Sequence, residues 1–202
     1  DDKGLKLPPK LAPHQIVIVP IILNDKDKDS VMTVVNQLND TLSEFRVIID
    51  DRSEVSPGFK FNEWEQKGVP LRVEVGPKDI EKNTILVSRR DDESKNSYPM
   101  DDVQNTIKKL LDEIQDNLYK NSENTLKENT THVESFSELI EVLNSKKGFV
   151  SCFWKENKED ELKIKEETSA TLRCYPLENT DSEKAVNSDS ENGNFAIFSK
   201  AY

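Results

Sequence analysis

The run QIVIVPIIL (Gln15–Leu23) constrains the fold more than any other part of the chain. It is dominated by β-branched residues and has no polar residue after Gln15, so it reads as a strand buried on both faces. Pro20 fits the end of that strand better than a central ladder position. Asn24–Asp29 then reads as a charged turn and Ser30 as a helix cap. Val31, Val34, Val35, Leu38 and Leu42 form one helical stripe for packing on a sheet. Phe45–Ile49 is a second short strand, Phe59–Lys67 a short helix stopped by Gly68, and Leu71–Val75 a strand terminated by Gly76-Pro77. Thr84–Ser88 is a further strand, followed by a polar loop at Asp91–Ser97. From Asp101 onward, Val103, Ile107, Leu110, Leu111, Ile114 and Leu118 mark a long amphipathic helix. The order β-α-β-α-β-β-α predicts an α/β fold, a mixed and largely parallel sheet with helices packed on it.

The polar stretch 121–132 reads as a helix tail or connector, and a second unit of α+β type begins after it. Phe136, Leu139, Ile140 and Leu143 make a helix stripe, Phe149–Trp154 a strand, Glu159–Glu167 a charged helix and Ala170–Tyr175 another strand. Residues 178–193 have almost no apolar content and read as a mobile loop. Asn194–Tyr202 returns as a terminal strand. The expected organisation is a Pro-punctuated linker at 1–14, a first domain at 15–130 and a small second domain at 131–202.

Composition excludes several functions. Apolar residues make up 34% and charged residues 33%, which suits folded modules joined by polar connectors. No apolar run approaches the roughly 18–20 residues of a membrane span, and no signal peptide is read, so no membrane partner is expected. Cys152 and Cys174 make no disulfide framework, and a reducing cytoplasm is the default. All six glycines are isolated, so there is neither a P-loop nor a GxGxxG turn. His14 and His132 lie far apart, which disfavours catalytic zinc. The net charge is −11, but the middle third is neutral, so any nucleic-acid contact must be local and specific.

The segment SPGFKFNEWEQKGVPLRVEVGPKD (Ser56–Asp79) closely resembles the anticodon-binding domain of prolyl-tRNA synthetases of the archaeal/eukaryotic-like type. The leader DDKGLKLPPKLAPHQIVIVPI resembles the segment joining that enzyme's catalytic and anticodon domains. IKEETSATLRCYP (Ile164–Pro176) and FSKAY (Phe198–Tyr202) resemble the family's small C-terminal domain. The resemblance implies a class II synthetase anticodon-binding domain followed by a small C-terminal domain. The ATP-holding motifs of the class are absent, so the chain is expected to be the C-terminal part of such an enzyme, without its catalytic domain. The parent is then a proline–tRNA ligase using ATP and Mg²⁺, and this part alone is expected to be inactive. The implied partners are tRNA(Pro), rather than DNA, and the catalytic domain, within a parent homodimer. The alternative is a free-standing, synthetase-derived module used for protein interaction.

Proline anticodons carry two adjacent guanines. A splayed guanine offers O6 and N7 to Arg or Lys and its N1–H and N2–H₂ to a carboxylate, while its face stacks on an aromatic plane. Phe61, Glu65, Arg72, Lys78 and Asp79 supply each of these types, and Phe61 and Glu65 share one helix face. The resemblance assigns stacking to Phe61 and guanine reading to the other four. Trp64 reads as core, and Arg89, Arg90 and Lys95, beyond a strand end, read either as contacts to backbone phosphates or as a solvated charged face.

Many relatives bind zinc in the C-terminal domain through two cysteine pairs. Here Cys152 stands alone at the first such position and the later CxxC is missing, so zinc is expected to be absent. Both cysteines read as core. The second unit must then rest on Phe149, Phe153, Trp154, Leu172, Tyr175, Phe195 and Phe198. In the family the terminal tyrosine, here Tyr202, reaches towards the catalytic site.

Overall fold

The leading apolar run becomes β1 (Ile16–Pro20), every residue of which is buried. The structure, a computed structural model, describes residues 1–22, 24–178 and 181–200. The chain divides into two units, Asp1–Asn121 and Ser122–Tyr202. The division falls inside the long helix α4 (Val103–Glu128).

The sheet of unit 1 joins β1 to β2 (Val47–Ile49), β3 (Leu71–Val75), β4 (Thr84–Arg89) and β5 (Lys95–Pro99), in the order β2-β1-β3-β4-β5. β1 pairs in parallel with β2 and β3, whereas β3–β4 and β4–β5 are antiparallel. The expected mixed sheet is present, parallel in one half rather than in most of its pairs. Alternation along the strands explains why β1 carries no polar residue. Ile16 and Ile18 join Leu71, Val73, Val75, Ile85 and Val87 in a core covered by α1 (Asp25–Thr41) and α4. Val17 and Val19 face the other way, onto Trp64 of α2 (Pro57–Gln66) and Val69.

Three local expectations are corrected in this unit. Asp25–Asp29 is the first turn of α1 rather than a loop, with Asn24 as N-cap and Asp25 and Asp27 at the positive end of the helix dipole. Ser30 lies inside the helix and donates its hydroxyl to the Asp27 carbonyl. The loop expected at Asp91–Ser97 contains the start of β5, an edge strand whose exposed, polar residues show no apolar alternation. Beyond Gly76 the chain makes a further short helix, α3 (Pro77–Glu81).

The leader is bound along unit 1. The Arg46 guanidinium donates to the Ala12 and Pro9 carbonyls at 2.9 and 2.7 Å. Leu5 donates its N–H to the Gln66 carbonyl, and Gly68, at φ +73°, closes α2 against it. A Cβ at Gly68 would stand 2.6 Å from that of Leu5. Gly68→Ala is therefore expected to destabilise unit 1 by more than about 1 kcal/mol, from the positive φ and the clash together. A urea midpoint equal to that of the unsubstituted chain would contradict this.

Unit 2 holds a second sheet in the order β6-β7-β10-β8, made of β6 (Thr130–His132), β7 (Phe149–Trp154), β10 (Asn192–Lys200) and β8 (Ala170–Cys174). Helices α5 (Phe136–Ser145) and α6 (Lys158–Thr168) contribute Leu139, Val142, Leu143 and Ile164 to its core. Within residues 178–193, expected as a loop, Ser182–Lys184 form β9 against β10, and Ala185 is buried. β6 likewise lies where a connector was expected.

The core of this unit differs from expectation through strand parity. Val150, Cys152 and Trp154 of β7 and Ala196 and Phe198 of β10 point into the core. Phe153 and Phe195 are half-buried outside that core and pack edge to face at 5.6 Å, while Phe149 and Tyr175 are exposed. Cys174, read as core, is exposed at the end of edge strand β8. Cys152 is fully buried, and burial pushes its thiol up to about 12. The expectation for Tyr202 lies outside the described residues.

Candidate nucleic-acid interface

α2 covers the β1 part of its sheet face, and the polar residues of β3, β4 and β5 continue that face beside it. The helix starts where Ser56 accepts the Phe59 N–H, with Pro57 in its first turn, where proline needs no hydrogen bond. Its Trp64 is buried, as expected, and this orients the remaining side chains. Phe61 and Glu65, one turn apart, are left half-buried at the edge.

On β3, Arg72 and Glu74 share the face opposite Val73. The antiparallel register sets Arg72 opposite Ser88, and Ser88 opposite Lys95, so these three form one row across the strands. The Arg72 guanidinium stands 4.1 Å from the Phe61 ring centroid. It donates from Nη1 to Glu65 Oε1 at 2.9 Å, from Nε to Glu74 Oε1 at 3.2 Å and from Nη2 to Ser88 Oγ at 3.3 Å. Lys95 Nζ donates to Glu74 Oε2 at 2.9 Å and stands 5.6 Å from the same ring. Glu65, Arg72, Ser88 and Lys95 line a cleft of about 170 Å³ with Lys3 and Arg89. Among the described residues, Glu65 Oε2 has no hydrogen-bond partner.

The structure thus brings Phe61, Glu65, Arg72 and Lys95 together. Lys78 and Asp79 lie on α3, past the far end of β3, and no contact among the described residues links them to that group. Lys78 is exposed, and Asp79 accepts the Gly76 N–H at 2.9 Å. Arg89 holds Asp91 in a two-bond pair and reaches Glu113 at 3.0 Å. Burial alone would push Asp91 up, but bonds from Arg89 and Asn117 hold its carboxyl below the ordinary range. Arg90 is 5% exposed and donates to the Asp1 carboxylate and to the Glu65 and Gly4 carbonyls. Glu74 and Ser88 were not singled out from the sequence, although the spacing of two from Arg72 within LRVEV is a signal that Glu74 shares its face.

Among the described residues, no group of three or more His, Cys, Asp or Glu could hold a metal ion, and no helix is long and apolar enough to cross a membrane.

Residues 15–110 match the family described as "Anticodon binding domain", and residues 136–202 the one described as "Prolyl-tRNA synthetase, C-terminal". The proline–tRNA ligase of Roseiflexus sp. (strain RS-1) is 42% identical over the whole of this chain, which spans 43% of that protein. The proline–tRNA ligase of Alkaliphilus oremlandii is 44% identical over 88% of this chain and 37% of its own length. The crystal structure of prolyl-tRNA synthetase from Cryptosporidium parvum, complexed with L-proline and AMP, superposes with a TM-score of 0.88 at 36% identity. It is matched over 100% of this chain and 44% of its own. The chain thus spans less than half the length of these relatives. Matched along its length by the anticodon-binding and C-terminal parts of these proteins, it belongs to the prolyl-tRNA synthetase family.

Proposed function

We propose that unit 1 reads the two guanines of the tRNA(Pro) anticodon, as part of an enzyme that charges this tRNA with proline using ATP. The observation that carries the reading is the Phe61–Arg72–Glu65 group: Arg72 and Glu65 line one cleft, and the Arg72 guanidinium there stands over the Phe61 ring and bonds one oxygen of the Glu65 carboxylate. Glu65 Oε2 suits the N1–H and N2–H₂ of a guanine, and unused Arg72 N–H groups suit its O6 and N7. Arg72 covers one face of Phe61, so the base stacks on the guanidinium–ring pair or displaces the guanidinium from it. Lys78 and Asp79 offer the same two chemistries for the second guanine from α3.

Arg89, Arg90 and Lys95 are proposed as backbone contacts, and of the three Lys95 is the most exposed, with 42% of its side chain open to solvent. ATP and Mg²⁺ are assigned to the catalytic part of the enzyme. The full enzyme is read as a cytoplasmic homodimer, and unit 2 as folding without zinc.

The test is binding of this chain to a tRNA(Pro) transcript at fixed, moderate salt, beside transcripts with either anticodon guanine replaced. Arg72→Ala is expected to lose about 1–3 kcal/mol on the native anticodon, with relaxed preference at one guanine. Equal loss on every transcript would sink the assignment.

A further inference from the structure

We propose that Glu74 is the positioning residue of the base-reading cleft, a role that rests on the anticodon reading above. Glu74 lies within β3 with its side chain only 7% exposed. A carboxylate there is costly unless its charge is matched, and here it is matched on both oxygens. Oε1 accepts from Arg72 Nε and from Ser88 Oγ, and Oε2 accepts from Lys95 Nζ. Glu74 acts on the two cations that stand over the Phe61 ring.

The pairing settles a competition. Arg72 bonds both Glu65 and Glu74, and Glu65 is the carboxylate with an oxygen free for guanine. With Glu74 in place, the guanidinium is held from beneath through Nε and stays over the Phe61 ring, and Glu65 engages it through one oxygen only. Without that charge, Glu65 is the carboxylate left to Arg72, beside the neutral Ser88 hydroxyl. Arg72 then swings towards Glu65, closing the oxygen that a guanine needs. Lys95 loses the one carboxylate it pairs with among the described residues. Glu74 therefore sets discrimination rather than affinity for RNA in general.

The experiment uses Glu74→Gln in the 202-residue chain. Glutamine keeps the shape, removes the charge and sets an amide N–H₂ against one of the two cations. Binding is measured at fixed, moderate salt to an anticodon stem-loop RNA carrying both guanines, and to stem-loops with each guanine replaced by adenine. Thermal melting accompanies each measurement. The expected result is a loss of discrimination of about tenfold or more, with affinity for the adenine RNAs unchanged or raised, because a negative charge has left an acidic protein.

A merely structural role would lower the melting point and weaken all the RNAs together. That result, or full discrimination by folded Glu74→Gln, would overturn the proposal. Absence of discrimination in the unsubstituted chain would overturn the anticodon reading, and this role with it. If Glu74→Gln does not fold, Ser88→Ala carries the test. It removes one Arg72 acceptor and is expected to cut discrimination about threefold, and unchanged discrimination there would overturn the proposal.

Discussion

Replacing Asp50 with alanine is expected to destabilise unit 1 by about 3–5 kcal/mol, the cost of breaking a buried charge pair on one side. Asp50 follows β2 with its side chain 2% exposed and gathers three elements. Its carboxylate accepts from Arg52 Nε and Nη2 at 2.8 and 2.7 Å and from Trp64 Nε1 at 2.8 Å. Lys60 Nζ, itself buried, donates to the Asp50 carbonyl and stands 3.9 Å from its carboxylate. Alanine leaves the indole N–H unpaired and the Lys60 charge buried without a counter-charge. Asp50→Asn keeps an acceptor for Trp64 and is expected to lose less.

The same site has a pH signature. The Arg52 hydrogen bonds, aided by Trp64 and Lys60, outweigh burial and hold Asp50 at about 2, below its ordinary 3.8. A depressed carboxylate stabilises the fold fully above its unfolded value and loses that contribution as pH falls. The loss therefore falls between about pH 4 and pH 2, and Asp50→Asn should flatten that part of the acid limb. Urea unfolding followed by Trp64 fluorescence, in a Trp154→Phe chain, reads both effects. A midpoint for Asp50→Ala matching that of Asp50 at pH 7 would refute the argument.

Legibility in the sequence followed burial. β1 and the stripes of α1, α4 and α5 bury apolar residues at fixed periods, so their pattern carries their structure. β5, β6 and β9 are short, polar strands, and their pairing comes from neighbouring backbone rather than from their own side chains. α3, with five residues, is too short for periodicity to register. Strand parity was the other blind spot. FVSCFW is apolar on both faces, and only its pairing with β10 fixes Val150, Cys152 and Trp154 as the inner set. The site divided in the same way. Phe61 and Glu65 are related by helix spacing within one segment, whereas the meeting of Arg72, Ser88 and Lys95 depends on the register of two antiparallel pairs. Glu74 therefore stood among apolar strand residues without its partners in view.

Phe198→Ala is expected to be the most damaging change in unit 2, at about 3–5 kcal/mol. Phe198 is fully buried in β10, the strand that pairs with β7, β8 and β9. Its ring meets Trp154 edge to face at 5.0 Å, and Trp154 stacks in turn on Phe136 of α5. The indole N–H of Trp154 is buried without a hydrogen-bond partner among the described residues, so packing holds that ring. Removing Phe198 takes away one side of the packing and opens a cavity between sheet and helices. A small unit has little reserve, since whole domains are stable by only about 5–15 kcal/mol. The expected readout is Trp154 emission, in a Trp64→Phe chain, shifting to that of an exposed indole at a much lower urea concentration. Leu162→Ala, at a position 58% exposed on α6, is the control and should change stability by less than about 0.5 kcal/mol. Equal losses from the two substitutions would mean that the Phe198–Trp154–Phe136 stack does not hold this unit together.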